Sequence, residues 1–442
     1  MNNQVLKQSN VKWLDKIPAS WTTIKIKWLT SVKRGASPRP IDDPKYFDEN
    51  GEYAWVRIAD VTKAKMYLKN TQQRMSKLGS SLSVKREPGD LFLSIAGTVG
   101  KPCITHIKCC IHDGFVYFPD FKGDTRYLYY IFDSGEPYKG LGKMGTQLNL
   151  NTDTVGSIEL PNIPLYLQTL ISDYLDKKTG QVNNLIEQKE KLIGLLEERR
   201  QSIITEAVTK GLNPNVKMKD SGVEWIGDIP EQWGIHKIKH VAEITSSNVD
   251  KKSIEGESDV LLCNYVDVYY NDEITGRIEF MKATAKPEQI EKFTLKRNDV
   301  LITKDSEAPN DIAIPTWVAE DLNNVVCGYH LSLIRPDPTI IEGKYLYYAF
   351  RSDSIREQFY SRANGVTRFG LPKEAIKNGL VPLPPLNEQN EIIAYLNEVN
   401  LTTISLVNKI NLQIQKLKEY RQSLIYEAVT GKIDVRDFEV VS

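Results

Sequence analysis

Cysteine is scarce in this chain. Its 442 residues include five, Cys103, Cys109, Cys110, Cys263 and Cys327, an odd number without the paired spacing of a disulfide framework or a zinc cage. That usage fits a protein of the reducing cytoplasm. Long apolar runs are missing too: nothing approaches the roughly 18 residues that a membrane span needs. The segment Met1 to Lys12 is polar, so neither a signal peptide nor a membrane anchor is expected. A charge of one sign is also lacking. Lysine plus arginine number 57 and aspartate plus glutamate 57, and no global basicity advertises a nucleic-acid partner.

What is present is repetition. At 41% hydrophobic and 26% charged residues the composition is that of a folded protein, and the length calls for two or more domains. Trp13 to Trp21, WLDKIPASW, returns as WIGDIPEQW, Trp225 to Trp233, with both tryptophans and the Ile-Pro pair kept at an offset of 212. Ser9, Val11 and Lys25-Ile26-Lys27 return in the same register as Ser221, Val223 and Lys237-Ile238-Lys239. A second block is stronger: RQSIITEAVT, Arg200 to Thr209, recurs as RQSLIYEAVT, Arg421 to Thr430, with eight of ten residues identical at an offset of 221. Between the blocks little matches beyond Tyr127 to Tyr130 against Tyr345 to Tyr348. The order is variable cassette, constant unit, variable cassette, constant unit.

Each constant unit reads as one long helix. After the prolines at Pro161 and Pro164, and again at Pro382 and Pro385, about 44 residues without proline carry a heptad pattern. Such a helix is a rod of roughly 65 Å. One seam is expected over Val182, Lys189, Leu196 and Ile203 with Leu185, Leu192 and Arg199; the other over Thr403, Ile410, Leu417 and Leu424 with Leu406, Gln413 and Tyr420. Where one helix has a polar residue in its seam the other has an apolar one, which implies that the helices pack on each other. The competing reading has each helix merely covering its own cassette. The cassettes alternate short apolar runs with Gly and Pro turns and read as strand-rich α/β domains. The predicted layout is a domain over 1–163, a helix over 164–210, a linker over 211–220, a domain over 221–381, a helix over 382–431 and a tail over 432–442.

Catalytic signatures are missing. Gly97 to Lys101 resembles the end of a phosphate loop, but Pro102 stands where Ser or Thr must reach magnesium, so a turn between strands is expected. His236 and His240 have the spacing of helical metal ligands, yet their counterparts Ile24 and Trp28 point to packing positions. Asp337, Glu342 and Lys344 are set too close for a metal-dependent nuclease and read as a loop leading into a helix at Tyr345. No Asn-Pro-Pro-Tyr tetrapeptide, Gly-rich cofactor loop or nucleophile elbow occurs. No catalytic residue, metal or cofactor is assigned to this chain.

The opening Trp-(Ile/Leu)-x-x-Ile-Pro-x-x-Trp of each half, SIAGTVGK from Ser94 to Lys101 read as strand-like, the Pro-Leu-x-x-Gln helix entry and the closing RQS(I/L)I-x-EAVT together resemble the specificity subunit of a type I DNA restriction-modification system. The resemblance spans essentially the whole chain. It implies two target-recognition domains held apart by an antiparallel helix pair with a pseudo-twofold repeat. Each domain would read one half of an asymmetric, bipartite site in double-stranded DNA. It further implies that catalysis belongs to partners: two modification subunits that use S-adenosylmethionine to methylate adenine, and two restriction subunits that use ATP and Mg to translocate and cut.

Base-edge and phosphate contacts come mostly from Arg, Lys, Asn and Gln on loops. In the first cassette the candidates are Lys33, Arg34, Ser37, Arg39, Arg57 beside Trp55, Lys143, Thr146, Gln147 and Asn149. In the second they are Ser247, Asn248, Lys251, Lys252, Asn264 with Tyr265, Lys304, Arg362, Asn364, Thr367 and Arg368. Split by segment, the zero net charge is a cancellation: residues 1–163 carry 23 basic and 16 acidic residues, whereas 211–381 carry 21 and 26. DNA binding by this chain alone should therefore be weak and uneven between its halves. The alternative class is a coiled-coil scaffold that never meets nucleic acid; cassette divergence between well-kept helices favours tunable recognition over it.

Overall fold

The computed structural model describes residues 5–139, 141, 150–308 and 311–436. It divides into two compact units, one of residues up to Lys189 with those from Leu412 onward, the other of Glu190–Asn411. Each is built the same way.

In the first unit a five-stranded sheet runs in the order Lys33–Arg34, Phe115–Tyr117, Leu91–Ser94, Pro102–Thr105, Tyr67–Leu68, and a four-stranded sheet in the order Gln73–Met75, Tyr53–Val56, Cys109–Ile111, Val84–Arg86. In the second unit the five-stranded order is Ala242–Ser246, Leu331–Pro336, Val300–Thr303, Pro315–Val318, Glu273–Ile274, and the four-stranded order is Met281–Ala285, Ser258–Cys263, Leu322–Cys327, Thr294–Leu295. Strand for strand the two topologies coincide, although these stretches share almost no sequence. What they share is pattern. Central strands such as Leu91–Ser94 and Val300–Thr303 are buried on both faces and read as unbroken apolar runs, not alternating ones. Tyr53–Val56 pairs in parallel with Cys109–Ile111, and Ser258–Cys263 with Leu322–Cys327. A parallel pair cannot be closed by a hairpin, so each first strand is followed by a crossover that begins with a short helix, Ile58–Lys63 or Tyr265–Tyr270.

Several expectations change here. Residues Ile95–Lys101 of SIAGTVGK are not strand: they turn the chain between the antiparallel strands Leu91–Ser94 and Pro102–Thr105, as the phosphate-loop comparison had required. The stretch read as linker contains a strand, Met218–Asp220, which pairs with Asp228–Pro230 as Leu6–Gln8 pairs with Lys16–Pro18. His236 and His240 are exposed and not packing positions, because the buried member of their segment is Ile238. Asp337 caps its own turn by accepting from the Thr339 amide and hydroxyl at 3.0 and 2.7 Å, and the helix Gly343–Arg351 follows.

The long helices run over Leu165–Lys210 and Leu386–Val429. Each unit's core holds the start of one and the end of the other. In the first, Leu167, Ile171 and Leu175 share a cluster with Leu424, Ile425, Ala428 and Val429, together with Trp13, Ile17 and Trp21. In the second, Ile392 and Leu396 meet Ile204, Ala207 and Val208 around Trp233. The kept motifs are therefore docking chemistry. The Gln168 amide accepts from Asp124 N at 3.0 Å and donates to Ile163 O at 2.9 Å; its counterpart Gln389 accepts from Glu342 N at 2.8 Å and donates to Pro384 O at 2.9 Å. Gln422 donates to Asp133 O at 3.1 Å and to Ser134 O, where Gln201 donates to Arg351 O. Arg126 adds a polar clasp in the first unit, reaching Asp124 at 3.0 Å and Asp173 and Asp176 at 2.8 Å.

Within the first unit the helix segments pair antiparallel: Asn183 accepts from Arg421 at 2.6 Å and, further along, Lys189 donates to Gln413 at 2.6 Å. In the second, Arg200 donates to Asn400 at 2.7 Å. The seam is half as expected. Val182, Ile410 and Leu424 are buried and Leu196, Ile203 and Leu417 are partly covered, but Leu185, Leu192 and Leu406 are 46, 45 and 40% exposed. Their immediate C-terminal neighbours, Ile186, Ile193 and Val407, take the second row, with Ile186 and Ile414 at 8 and 6% exposure. The spacing alternates four then three where three then four was expected. Apolar residues stand on both candidate rows, so the heptad alone leaves that choice open.

Candidate nucleic-acid interface

Polar loops gather where the parallel strands of each four-stranded sheet end. Val56 ends one such strand and Cys263 the other, and the next residues, Arg57 and Asn264, are N-caps of the short helices. The Asp60 carboxylate accepts from Arg57 N at 2.9 Å, and the Asp267 carboxylate from Asn264 N at 2.7 Å. Each cap residue is thereby held at the rim of its sheet.

In the first unit this rim borders a hollow of about 700 Å³ lined by Ser37, Arg39, Asp42, Trp55, Arg57, Gln73, His112 and Asp113, among others. Three candidates from the sequence, Ser37, Arg39 and Arg57, thus converge on one concavity. Arg57 Nη2 donates to Gln73 Oε1, and Arg39 pairs with Asp113 at 2.8 Å. His112 lies beside Trp55, with ring centroids 5.7 Å apart, and its Nδ1 accepts from Gly114 N at 2.9 Å. Burial lowers the His112 pKa, Asp113 opposing it. The neutral imidazole keeps Nε2–H as a donor. Lys33 and Arg34 stand apart, on the edge strand paired with Val116 and Tyr117, and Arg34 Nε reaches the Asp113 carbonyl.

In the second unit the corresponding rim carries Asn264, Gly328, Tyr329 and His330. A Cβ on Gly328 would lie 2.6 Å from Cys263 O and 3.5 Å from Asn264 Oδ1. Lys304 donates to Asp305 at 2.9 Å and sits over the Tyr329 ring at 4.8 Å. His330 Nδ1–H donates to the same Asp305 oxygen at 3.1 Å, which leaves Nε2 as the acceptor for Arg368 Nη2 at 3.3 Å. Burial works to raise the Asp305 pKa, but hydrogen bonds from Lys304 and His330 hold it below the ordinary carboxylate value. Two predicted residues, Lys304 and Arg368, are thus joined by Asp305, Tyr329 and His330. Tyr265 stacks on Tyr269 at 5.5 Å. Arg362, Asn364, Thr367 and Arg368 are exposed around the turn closed by the Asn364–Gly370 bridge.

The other candidates scatter. Asn248 accepts from Gln289 at 3.1 Å, and Lys252 pairs with Asp250 at 3.6 Å beside the exposed Lys251. Ser247 is removed from the surface: it is buried, donates to Cys327 O and accepts from Val249 N at 3.2 Å, so its hydroxyl is spent inside the fold. Lys143, Thr146, Gln147 and Asn149 lie outside the described residues. Sequence reasoning passed over Gln73, His112, Asp113, Asp305, Tyr329 and His330. The available signal was the turn after an apolar strand, His112-Asp113-Gly114 and Gly328-Tyr329-His330.

Burial pushes the Cys103, Cys109 and Cys110 thiols up to about 12, leaving them inert. Among the described residues no three His, Cys, Asp or Glu side chains gather as metal ligands, and no helix is long and apolar enough to cross a membrane.

The sequence profile described as "Type I restriction modification DNA specificity domain" matches this chain twice, over residues 18–194 and 230–416. The chain is 21% identical over 449 residues to the type I restriction enzyme StySPI specificity subunit of Salmonella potsdam, covering 95% of this chain and 90% of that one. It is 24% identical over 320 residues to the type I restriction enzyme MjaVIII specificity subunit of Methanocaldococcus jannaschii, covering 71% of each. A solved structure described as the structural basis of complex assembly and conformational transition of the type I R-M system is similar in fold, with a TM-score of 0.69 at 15% identity over 94% of this chain and 99% of that one.

Proposed function

Because the chain belongs to the type I restriction modification DNA specificity family, we propose that it is the non-catalytic subunit that reads DNA sequence for a type I restriction-modification complex. The observation that carries this is duplication with divergence. Two units of coincident topology are tied to the long helices by the same glutamine and tyrosine bonds. Yet their polar rims differ: Arg57, Gln73 and His112 in one, Asn264, Met281 and Gly328 in the other. A shared frame with different rims suits two half-sites of different sequence better than an adaptor with two equivalent ends, and the family match sets the scaffold alternative aside.

The chain acts with other restriction-modification subunits on double-stranded DNA. In this reading two modification subunits supply adenine methylation with S-adenosylmethionine, and two restriction subunits supply ATP- and Mg-dependent translocation and cleavage in the cytoplasm. The adenine must leave the base stack to reach a partner's pocket, which this chain supports by gripping the flanking duplex. Co-expression with the modification subunit, followed by single-molecule methylome sequencing, tests the assignment. Methylated adenines within one split, asymmetric motif are expected; a genome without any motif dependent on this chain overturns it.

A further inference from the structure

Arg57 and Asn264 occupy one position in two copies of a topology. Each follows the last residue of a strand, Val56 or Cys263, whose neighbour Ile111 or Cys327 runs parallel to it. Each also precedes a six-residue helix, and each donates its backbone amide to the carboxylate three residues on. The backbone is thus pinned identically and only the side chain varies.

The surroundings vary with it. Trp55 pairs across the sheet with Gln73, and the corresponding Leu262 with Met281. Gln73 Oε1 accepts from Arg57, whereas Met281 offers only a thioether. Arg57 borders the 700 Å³ hollow, and the nearby Asp113 carboxylate is engaged by Arg39 at 2.8 Å. No ion pair among the described residues involves Arg57. With one Nη2 hydrogen on Gln73, the guanidinium retains further donors at its terminal edge. The Asn264 side chain closes a capping box with the helix it precedes and makes a long contact from Nδ2 to Leu262 O at 3.4 Å, and Gly328 places no side chain beside Oδ1.

Resting on the function proposed above, we propose that this strand-end position is the specificity-determining residue of each domain, Arg57 reading a guanine in one half-site and Asn264 reading an adenine, other than the methylated one, in the other. A guanidinium matches the O6 and N7 acceptors of guanine; a carboxamide accepts from adenine N6 and donates to N7. The asymmetry of the target then follows from one side-chain difference on a common backbone.

The test is methylation by the complete complex on duplexes randomised in both half-sites. Arg57→Ala is expected to reduce discrimination for guanine at one position of one half-site by about 5- to 150-fold, the range of a bidentate base contact, and to leave the other half-site unchanged. Asn264→Ala does the same for one adenine in the other half-site. Arg57→Lys, which keeps the charge but not the planar fork, should lose the guanine preference while the complex still assembles and melts like the parent. A folded Arg57→Lys complex that retains every base preference overturns the proposal, as does relaxation in both half-sites. A parent complex with no split motif refutes the functional assignment instead, so the two failures are distinguishable.

Discussion

The Tyr127 hydroxyl donates to the Val429 carbonyl at 3.0 Å, across 302 positions of sequence. In the other unit Tyr345 donates to Val208 O at 3.3 Å and to Pro382 O at 3.0 Å. Each recognition domain is thereby fastened to the end of the helix that belongs to the other half of the chain, which accounts for the recurrence of EAVT.

Tyr127→Phe keeps the buried ring and removes the donor. The Val429 carbonyl loses its side-chain partner, so a loss of about 1 to 3 kcal/mol in unfolding free energy is expected, read by urea titration. The methylated motif itself should not change.

The seam can be probed one residue at a time. Ile186→Ala removes a buried side chain and should cost about 2 to 5 kcal/mol, while Leu185→Ala, on the exposed row, should fall within about 0.5 kcal/mol of the parent. A larger loss for Leu185→Ala than for Ile186→Ala in the denaturation midpoint would put Leu185 in the seam instead.

His112 gives a pH signature. Its folded pKa is lowered by burial, so below about 6.5 the unfolded chain takes up a proton that the folded one resists. Stability contributed by neutral His112 is present above that value and lost as pH falls towards the folded pKa. His112→Gln should flatten the difference in melting temperature between pH 7 and pH 5.5 relative to the parent.

Gly328→Ala puts a methyl 2.6 Å from the Cys263 carbonyl, a backbone atom that cannot swing away. Forced separation of the two parallel strands should cost about 1 to 3 kcal/mol and displace Asn264. The expected readout is loss of discrimination in one half-site with the other intact, by the same methylation assay.

The long helices were legible because 44 residues without proline after a proline stop leave few alternatives, and their pairing was legible from complementary seams. The row choice was not, since Leu185 and Ile186 are equally apolar and only the partner helix decides which is covered. Arg57 and Asn264 could be singled out as polar residues after apolar strands. Their equivalence could not, because their separation of 207 matches neither repeat offset: insertions between them break every register. Ser247 misled for a related reason. A serine hydroxyl reads as a surface group unless the strand carbonyl that receives it, here Cys327 O, is in view.

Residue order alone was enough for the duplicated architecture, the helical rods and the kinship, because repetition and periodicity are written in single residues and their spacing. Folding settled which helix end closes which domain, which seam row is dry, and which divergent residues share a place at the rim. Those relations join atoms hundreds of positions apart, such as Tyr127 and Val429, and arise from hydrogen bonds and close packing between segments that only the folded chain brings together.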